Sequence, residues 1–132
     1  MGTASPLAGN PLAADGADIV LVEWRAEPGG EGPPMYIAPL HVHHSDDEAW
    51  YVLEGTLAFI LGDERVEVPA GGAAIALRGV PHTFWNPRPL PARYVLAMTP
   101  RIKSLIDSLH DGSGRSPEEV FAAHDSELLG WP

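Results

Sequence analysis

Short apolar segments, separated by turn-forming residues, occupy most of the first hundred positions. The segment IVLVEW at residues 19–24 is apolar and β-branched, as expected of a strand. Seven similar segments follow, most of them closed by Gly, Pro, Asn or Asp: MYIAPLHVHH, EAWYVLEG, TLAFILG, RVEVPAGG, AAIALRG, HTFWN and ARYVLAMT. Short strands with turn signals at this spacing predict an all-β sandwich or barrel. The turns at residues 53–56 and 61–64 are predicted hairpins between adjacent strands.

The hydrophobic period changes after residue 98. Thr99 and Pro100 are typical of a helix N-cap and first turn. The apolar residues that follow have the spacing of one helical face: Ile102, Leu105, Ile106 and Leu109. A second start has Ser116 and Glu119 spaced as a capping box, followed by a weaker apolar face of Val120, Phe121 and Leu128. The pattern predicts two short helices packed outside the barrel.

These changes of pattern divide the chain into three parts. Residues 1–18 are small and polar and contain Pro and Gly, which predicts a flexible N-terminal arm. Residues 19–98 form the predicted β-barrel, and residues 99–132 the helical tail packed on it. A length of 132 residues is that of a single domain.

Composition narrows the classes of function. Eight Lys and Arg against 18 Asp and Glu give a formal charge of −10, so neither nucleic acid nor an anionic membrane surface is an expected partner. The chain has no cysteine, which excludes disulfides, zinc–thiolate sites, iron–sulfur clusters and cysteine nucleophiles. The first residues lack the pattern of a secretory signal, and no apolar run approaches the ~18 residues of a membrane span. The expected compartment is therefore the cytoplasm.

Three histidines and one glutamate have the pattern of a metal site. His41 and His43 are two residues apart, so on a strand their imidazoles point to the same side. Glu48 begins the next apolar segment and can add a carboxylate from a neighbouring strand. His82 follows Pro81 at the predicted start of another strand, which a closed sheet can bring opposite the first pair. Such a set would leave positions of an octahedral ion open for substrate or oxygen.

The same residues resemble the two motifs of the cupin superfamily. His41, His43, Glu48 and Gly55 fit the first motif throughout. Gly71, Gly79, His82 and Asn86 fit the second motif, in which Leu77 replaces the usual proline. The resemblance covers roughly residues 19–98, and the two-helix tail is similar to that of small bacterial cupins related to quercetin dioxygenases. It implies a jelly-roll barrel, or double-stranded β-helix.

The four residues are compatible with several kinds of chemistry. The four residues suit one divalent transition metal (Fe, Mn, Ni, Cu or Zn), and Glu48 can act as a plain ligand or as a general base. The resemblance implies a dioxygenase acting on a small enolic, phenolic or dihydroxy substrate. The alternatives are a metal-dependent isomerase, cyclase or decarboxylase without redox chemistry, and a cupin that binds a small molecule without turnover.

Strand parity predicts the wall of the site. Met35 and Ile37 share the side of His41 and His43, Phe84 shares that of His82, and Trp50 shares that of Glu48. Either Tyr94 or Arg93 can add one polar contact from the last strand. The predicted substrate pocket consists of Met35, Ile37, Trp50, Phe84 and Tyr94. Tyr51 and Trp85 are expected to point outward.

Two further expectations concern residues outside this wall. His44, His110 and His124 are expected to have no part in the site. Cupins commonly pair through an edge strand or a sheet face, so a homodimer through the N-terminal arm and the strand at residues 19–24 is predicted.

Overall fold

The computed structural model describes residues 2–132 and contains nine strands and two helices within that range. The elements are β1 (Val20–Ala26), β2 (Leu40–His43), β3 (Glu48–Glu54), β4 (Thr56–Leu61), β5 (Glu64–Pro69), β6 (Ala73–Ala76), β7 (His82–Trp85), β8 (Ala92–Met98), α1 (Pro100–Leu109), α2 (Pro117–Ala123) and β9 (Ser126–Gly130). Each of the eight apolar segments contains one strand. The segment at residues 35–44 is strand only from Leu40, because Pro39 cannot donate a backbone hydrogen bond.

Two antiparallel sheets form a jelly-roll sandwich, which confirms the predicted fold class. The first sheet has the order β1-β8-β3-β6, and the second has the order β5-β4-β7-β2-β9. Alternate side chains of both sheets point between them and form the main hydrophobic core, which includes Val22, Trp50, Val52, Leu57, Phe59, Phe84 and Leu96. The core therefore lies between the sheets.

One of the two predicted hairpins is wrong. β3 belongs to the first sheet and β4 to the second, so the turn at residues 53–56 carries the chain between sheets. Gly55 has φ +77°, and a Cβ there would lie 2.8 Å from the carbonyl oxygen of Pro91. Glycine is therefore required by both backbone conformation and space. The turn at residues 61–64 is confirmed as a hairpin, with Leu61 paired to Glu64 in the antiparallel β4–β5 ladder.

The C-terminal segment contains a strand that the sequence did not indicate. α1 and α2 begin as predicted, with the side chains of Thr99 and Ser116 capping them. The second helix ends at Ala123, however, and Leu128 lies in β9 instead of on a helical face. Asp125 turns the chain with φ +54°, and β9 then pairs with the edge of β2. Pairing covers the otherwise open edge of β2 and competes successfully with continued helix.

The predicted N-terminal arm is attached to β1 at two points. Ala8 forms an isolated bridge with Glu23, and Leu12 forms one with Leu21. The division of the chain into arm, barrel and tail stays a prediction, and residue 1 lies outside the described part. Within residues 2–132, neither helix has the length and apolar character needed to cross a bilayer.

Candidate metal centre

The structure brings the four predicted ligands together. One nitrogen from each of His41, His43 and His82 and one carboxylate oxygen of Glu48 lie within 4.8 Å of one another, and all four residues are buried. The three imidazoles come from β2 and β7 of the second sheet, whereas Glu48 begins β3 of the first sheet. The site therefore bridges the two layers of the sandwich.

Short distances join the carboxylate to two of the imidazoles. Oε1 of Glu48 lies 3.0 Å from Nε2 of His82 and 3.5 Å from Nε2 of His43. The ring of His41 lies beside that of His82, with centroids 4.3 Å apart and planes tilted by 59°. All the donor atoms thus face a common point.

In two of the imidazoles, Nδ1 faces away from the cluster and bonds to a backbone carbonyl oxygen. That bond shows which ring nitrogen carries the hydrogen. Nδ1 of His41 donates to the carbonyl oxygen of Pro39 at 2.8 Å, and Nδ1 of His82 donates to that of Val80 at 3.0 Å. A carbonyl oxygen can only accept, so Nδ1 carries the hydrogen in both rings. Their Nε2 lone pairs therefore point into the cluster, as metal-binding histidines require.

The donor set fits a divalent cation. With Nδ1 protonated, the imidazoles of His41 and His82 present lone pairs, and no hydrogen, to the carboxylate of Glu48. Converging acceptors of this kind are stable only around an extra proton or a metal ion. Imidazole nitrogens together with one carboxylate oxygen suit a borderline transition metal better than calcium or magnesium.

The electrostatics of the metal-free cluster favour an ionised glutamate. Burial raises the pKa of Glu48, but the imidazoles of His43 and His82, whose Nε2 atoms lie within 3.5 Å of its carboxylate, outweigh that effect and lower the pKa to about 2. Burial, reinforced by the nearby His82, lowers the pKa of His41 to about 4. Near neutral pH, Glu48 is therefore charged and His41 keeps a free lone pair.

A cavity of about 480 Å³ opens next to the cluster. Its wall includes Trp50, Phe84 and Tyr94 of the predicted pocket, and also Ile37 although that residue is 47% exposed. Tyr94, and not Arg93, is the residue of β8 that faces inward: Tyr94 is buried, and Arg93 is exposed and paired with Glu23 and Glu54.

Met35 is a wrong prediction. Its side chain is 73% exposed and borders a different depression, beside Trp85. Parity failed there because residues 35–39 are not strand. Tyr51 points outward as expected. Trp85 was also expected to point outward, but its side chain is buried. Tyr36 packs against its ring, and the guanidinium of Arg65 lies 4.7 Å from the ring centroid.

The comparisons with known proteins agree with this architecture. Residues 22–98, more than half of the chain, match the family described as the cupin domain. The chain belongs to the cupin family. No curated protein matches it.

Two solved structures of other proteins resemble this cupin. TT1209 from Thermus thermophilus is 26% identical with a TM-score of 0.56, over 68% of this chain and 79% of that chain. An uncharacterized conserved protein with a double-stranded β-helix domain from Klebsiella pneumoniae is 30% identical with a TM-score of 0.54, over 70% and 78% of the two chains.

A third structure, described as a sugar phosphate isomerase from the cupin superfamily, comes from Silicibacter pomeroyi. It is 25% identical with a TM-score of 0.53. The match covers 63% of this cupin but only 51% of that chain, so it spans about half of the larger protein.

Both helices of this cupin contribute side chains to the wall of the cavity. The sequence predicted the helices but not their contact with the site. Ile102, Leu105 and Ile106 of α1 and Phe121 of α2 line the space above the cluster. The ring of Phe121 meets that of His41 edge to face at 5.5 Å. The spacing of residues 102–109 revealed an apolar face, but a periodic pattern cannot say which surface that face covers.

The other histidines contribute no ligand to the cluster. His44 is half exposed and lies near Glu127, whereas His124 bonds to Val120 and Ser104 on the helices. His110 caps α1 and bonds to the carbonyl oxygen of Ile106, but it also borders the cavity.

A serine that the sequence did not single out contacts the cluster. Oγ of Ser126, in β9, lies 2.7 Å from Nδ1 of His43. A serine near the end of a tail carries no motif signal, so only the pairing of β9 with β2 reveals it.

Proposed function

We propose that this cupin is a metal-dependent enzyme acting on a small organic substrate, and that the reaction is of the dioxygenase type. The observation that carries the proposal is the convergence of four lone-pair donors beside an apolar cavity. In a dioxygenase reaction that cleaves a C–C bond of the substrate, both atoms of dioxygen enter the products and the substrate supplies all four electrons, so no external reductant is needed. An enolic, phenolic or dihydroxy compound is the substrate class that best combines apolar bulk with oxygen donors.

Each polar residue of the site has a separate part in this proposal. His41, His43 and His82 would hold one divalent metal ion together with Glu48. The ion would supply a Lewis acid that binds and polarises a substrate oxygen. Glu48 is ionised and can take the proton of an enol or phenol if it exchanges its position as ligand. The Tyr94 hydroxyl lines the same cavity and can orient a second substrate oxygen.

The lining of the cavity argues for a neutral substrate. Among the described residues that border it there is no lysine or arginine, and the acidic ones are Glu48 and Asp107. A phosphate or carboxylate group would lose water there without gaining a cationic side chain. We therefore rank a non-redox isomerase second, although the similar Silicibacter pomeroyi structure is described as a sugar phosphate isomerase.

Oxygen consumption tests the proposal. Protein purified without a polyhistidine tag is analysed for metal, loaded with each candidate ion and assayed in an oxygen electrode with enediols and flavonols. We expect uptake that His82→Ala abolishes and that His44→Ala retains, because His44 neighbours the ligands without facing the cluster. Turnover that continues without oxygen would favour the isomerase, cyclase or decarboxylase. Tight ligand binding that needs no metal would favour a non-catalytic binding protein.

We also propose that the cupin forms a homodimer, through β6 rather than the N-terminal arm. Leu12 of the arm already pairs with Leu21 of its own chain. β6 is an edge strand, and Ile75 on it is 53% exposed, on the same face of the sheet as the exposed Tyr51 of β3. Analytical ultracentrifugation should find a dimer that Ile75→Asp dissociates and that Leu90→Asp, at an exposed loop position, does not. A monomeric wild type, or a dimer in both variants, would contradict this interface.

A further inference from the structure

The C-terminal strand reaches the metal centre from outside the part of the chain that matches the cupin family. That match ends at residue 98, whereas β9 spans Ser126–Gly130. β9 pairs with β2 so that Ser126 lies opposite His43. This register places a serine side chain, 5% exposed, against the back of a candidate ligand.

The hydrogen bonds of Ser126 determine which nitrogen of His43 carries the proton. The Oγ hydrogen is donated to the carbonyl oxygen of His124 at 3.1 Å. A hydroxyl has one hydrogen, so Oγ can only accept from His43 at 2.7 Å. Nδ1 of His43 must therefore carry the hydrogen, which leaves the Nε2 lone pair facing Glu48 and the other imidazoles.

Ser126 differs from the partners of the other two rings. His41 and His82 donate to backbone carbonyl oxygens, which no substitution of a side chain removes. The partner of His43 is a side chain on an element that is far away in the sequence. Without that oxygen, the ring would be free to place its hydrogen on Nε2 and to rotate. Its loss is therefore expected to weaken the site without removing a ligand.

We propose that Ser126 is a positioning residue for the metal centre: it selects the Nδ1–H tautomer of His43 and so raises the affinity for a divalent cation. The C-terminal tail is then a functional part of the site. The inference rests on the metal site of the proposed function but not on its dioxygenase chemistry.

Two variants and one control test the role of Ser126. Ser126→Ala removes the acceptor and keeps the β9 backbone, while Ser126→Thr restores a hydroxyl at the same place. Ser104→Ala is the matched control, because Ser104 touches the other side of His124 without contacting a ligand. Urea unfolding and circular dichroism establish that each variant is folded.

Two readouts separate positioning from general stability. In competition between the protein and a chelator for Zn(II), Ser126→Ala should bind about 10- to 100-fold more weakly, the usual effect of losing a hydrogen-bond partner of a metal-binding histidine. Ser126→Thr should regain most of the affinity, and Ser104→Ala should match the wild type. In long-range ¹H–¹⁵N spectra of the metal-free protein, His43 should change from a fixed Nδ1–H tautomer to a mixture only in Ser126→Ala.

A folded Ser126→Ala protein with unchanged Zn(II) affinity and unchanged His43 tautomer would overturn the inference. If Ser126→Ala does not fold, the tautomer and affinity of Ser126→Thr decide, and an Nε2–H tautomer there would contradict it. A wild type that binds no metal would instead defeat the proposed function, and the spectra would still show whether Ser126 fixes the ring.

Discussion

His41 and His82 lie directly opposite each other where β2 and β7 pair. Their rings lie 4.3 Å apart between centroids, although the residues come from distant parts of the sequence. The alternation of β2 then places His43 on the same side, within reach of Glu48 from the facing sheet. One antiparallel register thus decides whether a metal centre exists.

The first prediction concerns loss of a ligand. His41→Ala or His82→Ala should reduce bound metal from about one ion per chain to a small fraction, because each variant loses one of the four protein–metal bonds and water replaces an imidazole only weakly. The loss should exceed the roughly 10- to 100-fold effect of changing only a hydrogen-bond partner. Elemental analysis measures it, and circular dichroism should show that the barrel remains folded. Metal content unchanged in both variants, relative to His44→Ala, would disprove the assignment.

The second prediction separates two glycines with positive φ. Gly79→Val places a side chain into open space at φ +80°, so it should lower the free energy of unfolding by about 1–3 kcal/mol through backbone strain alone. Gly55→Val adds a collision with the backbone of residues 91–92 and should cost more. Urea unfolding of both proteins shows which substitution lowers the free energy of unfolding more. Equal loss in the two variants would show that the contact at Gly55 relaxes without cost.

Local patterns predicted the parts of the molecule that depend on neighbouring residues. The alternation of side chains along one strand was enough to predict that His41 and His43 point to the same side. The cap residues were enough to predict where α1 and α2 begin. Pro81 marked His82 as the start of another strand. Only closure of the sheet, which the cupin resemblance implies, could place it opposite the pair.

Most of the features that the sequence did not predict depend on how distant segments pair in the folded protein. The assignment of β3 and β4 to different sheets, and the pairing of β9 with β2, depend on which strand edges are available in the folded protein. No periodicity in the tail distinguishes Ser126 from an ordinary surface serine. Met35 was misplaced because parity was extended through Pro39, where the strand does not exist.

The third prediction concerns the polar contact in the cavity. Burial raises the pKa of Tyr94, and the negative charge of Glu48 adds to this effect, so the hydroxyl stays protonated at physiological pH. It can donate a hydrogen bond but cannot act as a base. Tyr94→Phe removes only the oxygen, so metal binding should be unchanged while kcat/KM falls about 2- to 10-fold, the value of one net hydrogen bond. A loss of metal in Tyr94→Phe would show that the hydroxyl belongs to the metal site instead.

The last prediction concerns the pH dependence of the chelator-treated protein. The pKa of His41 falls from 6.5 to about 4 on folding, so between these values the unfolded chain binds more protons than the folded one. Stability therefore decreases as the pH falls through this window, by about 2 kcal/mol between pH 7 and pH 5 from this residue alone. Glu48, whose pKa is lowered from 4.5 to about 2, acts in the same direction at lower pH.

Urea unfolding at pH 7 and pH 5 measures this effect, with His41→Gln as the informative variant. Glutamine does not titrate, so His41→Gln should lose less stability than the wild type between the two values. His44→Gln serves as the control, because His44 is half exposed and should leave the wild-type difference intact. If His41→Gln and the wild type lose the same free energy on acidification, the buried His41 is not the group that couples folding to pH.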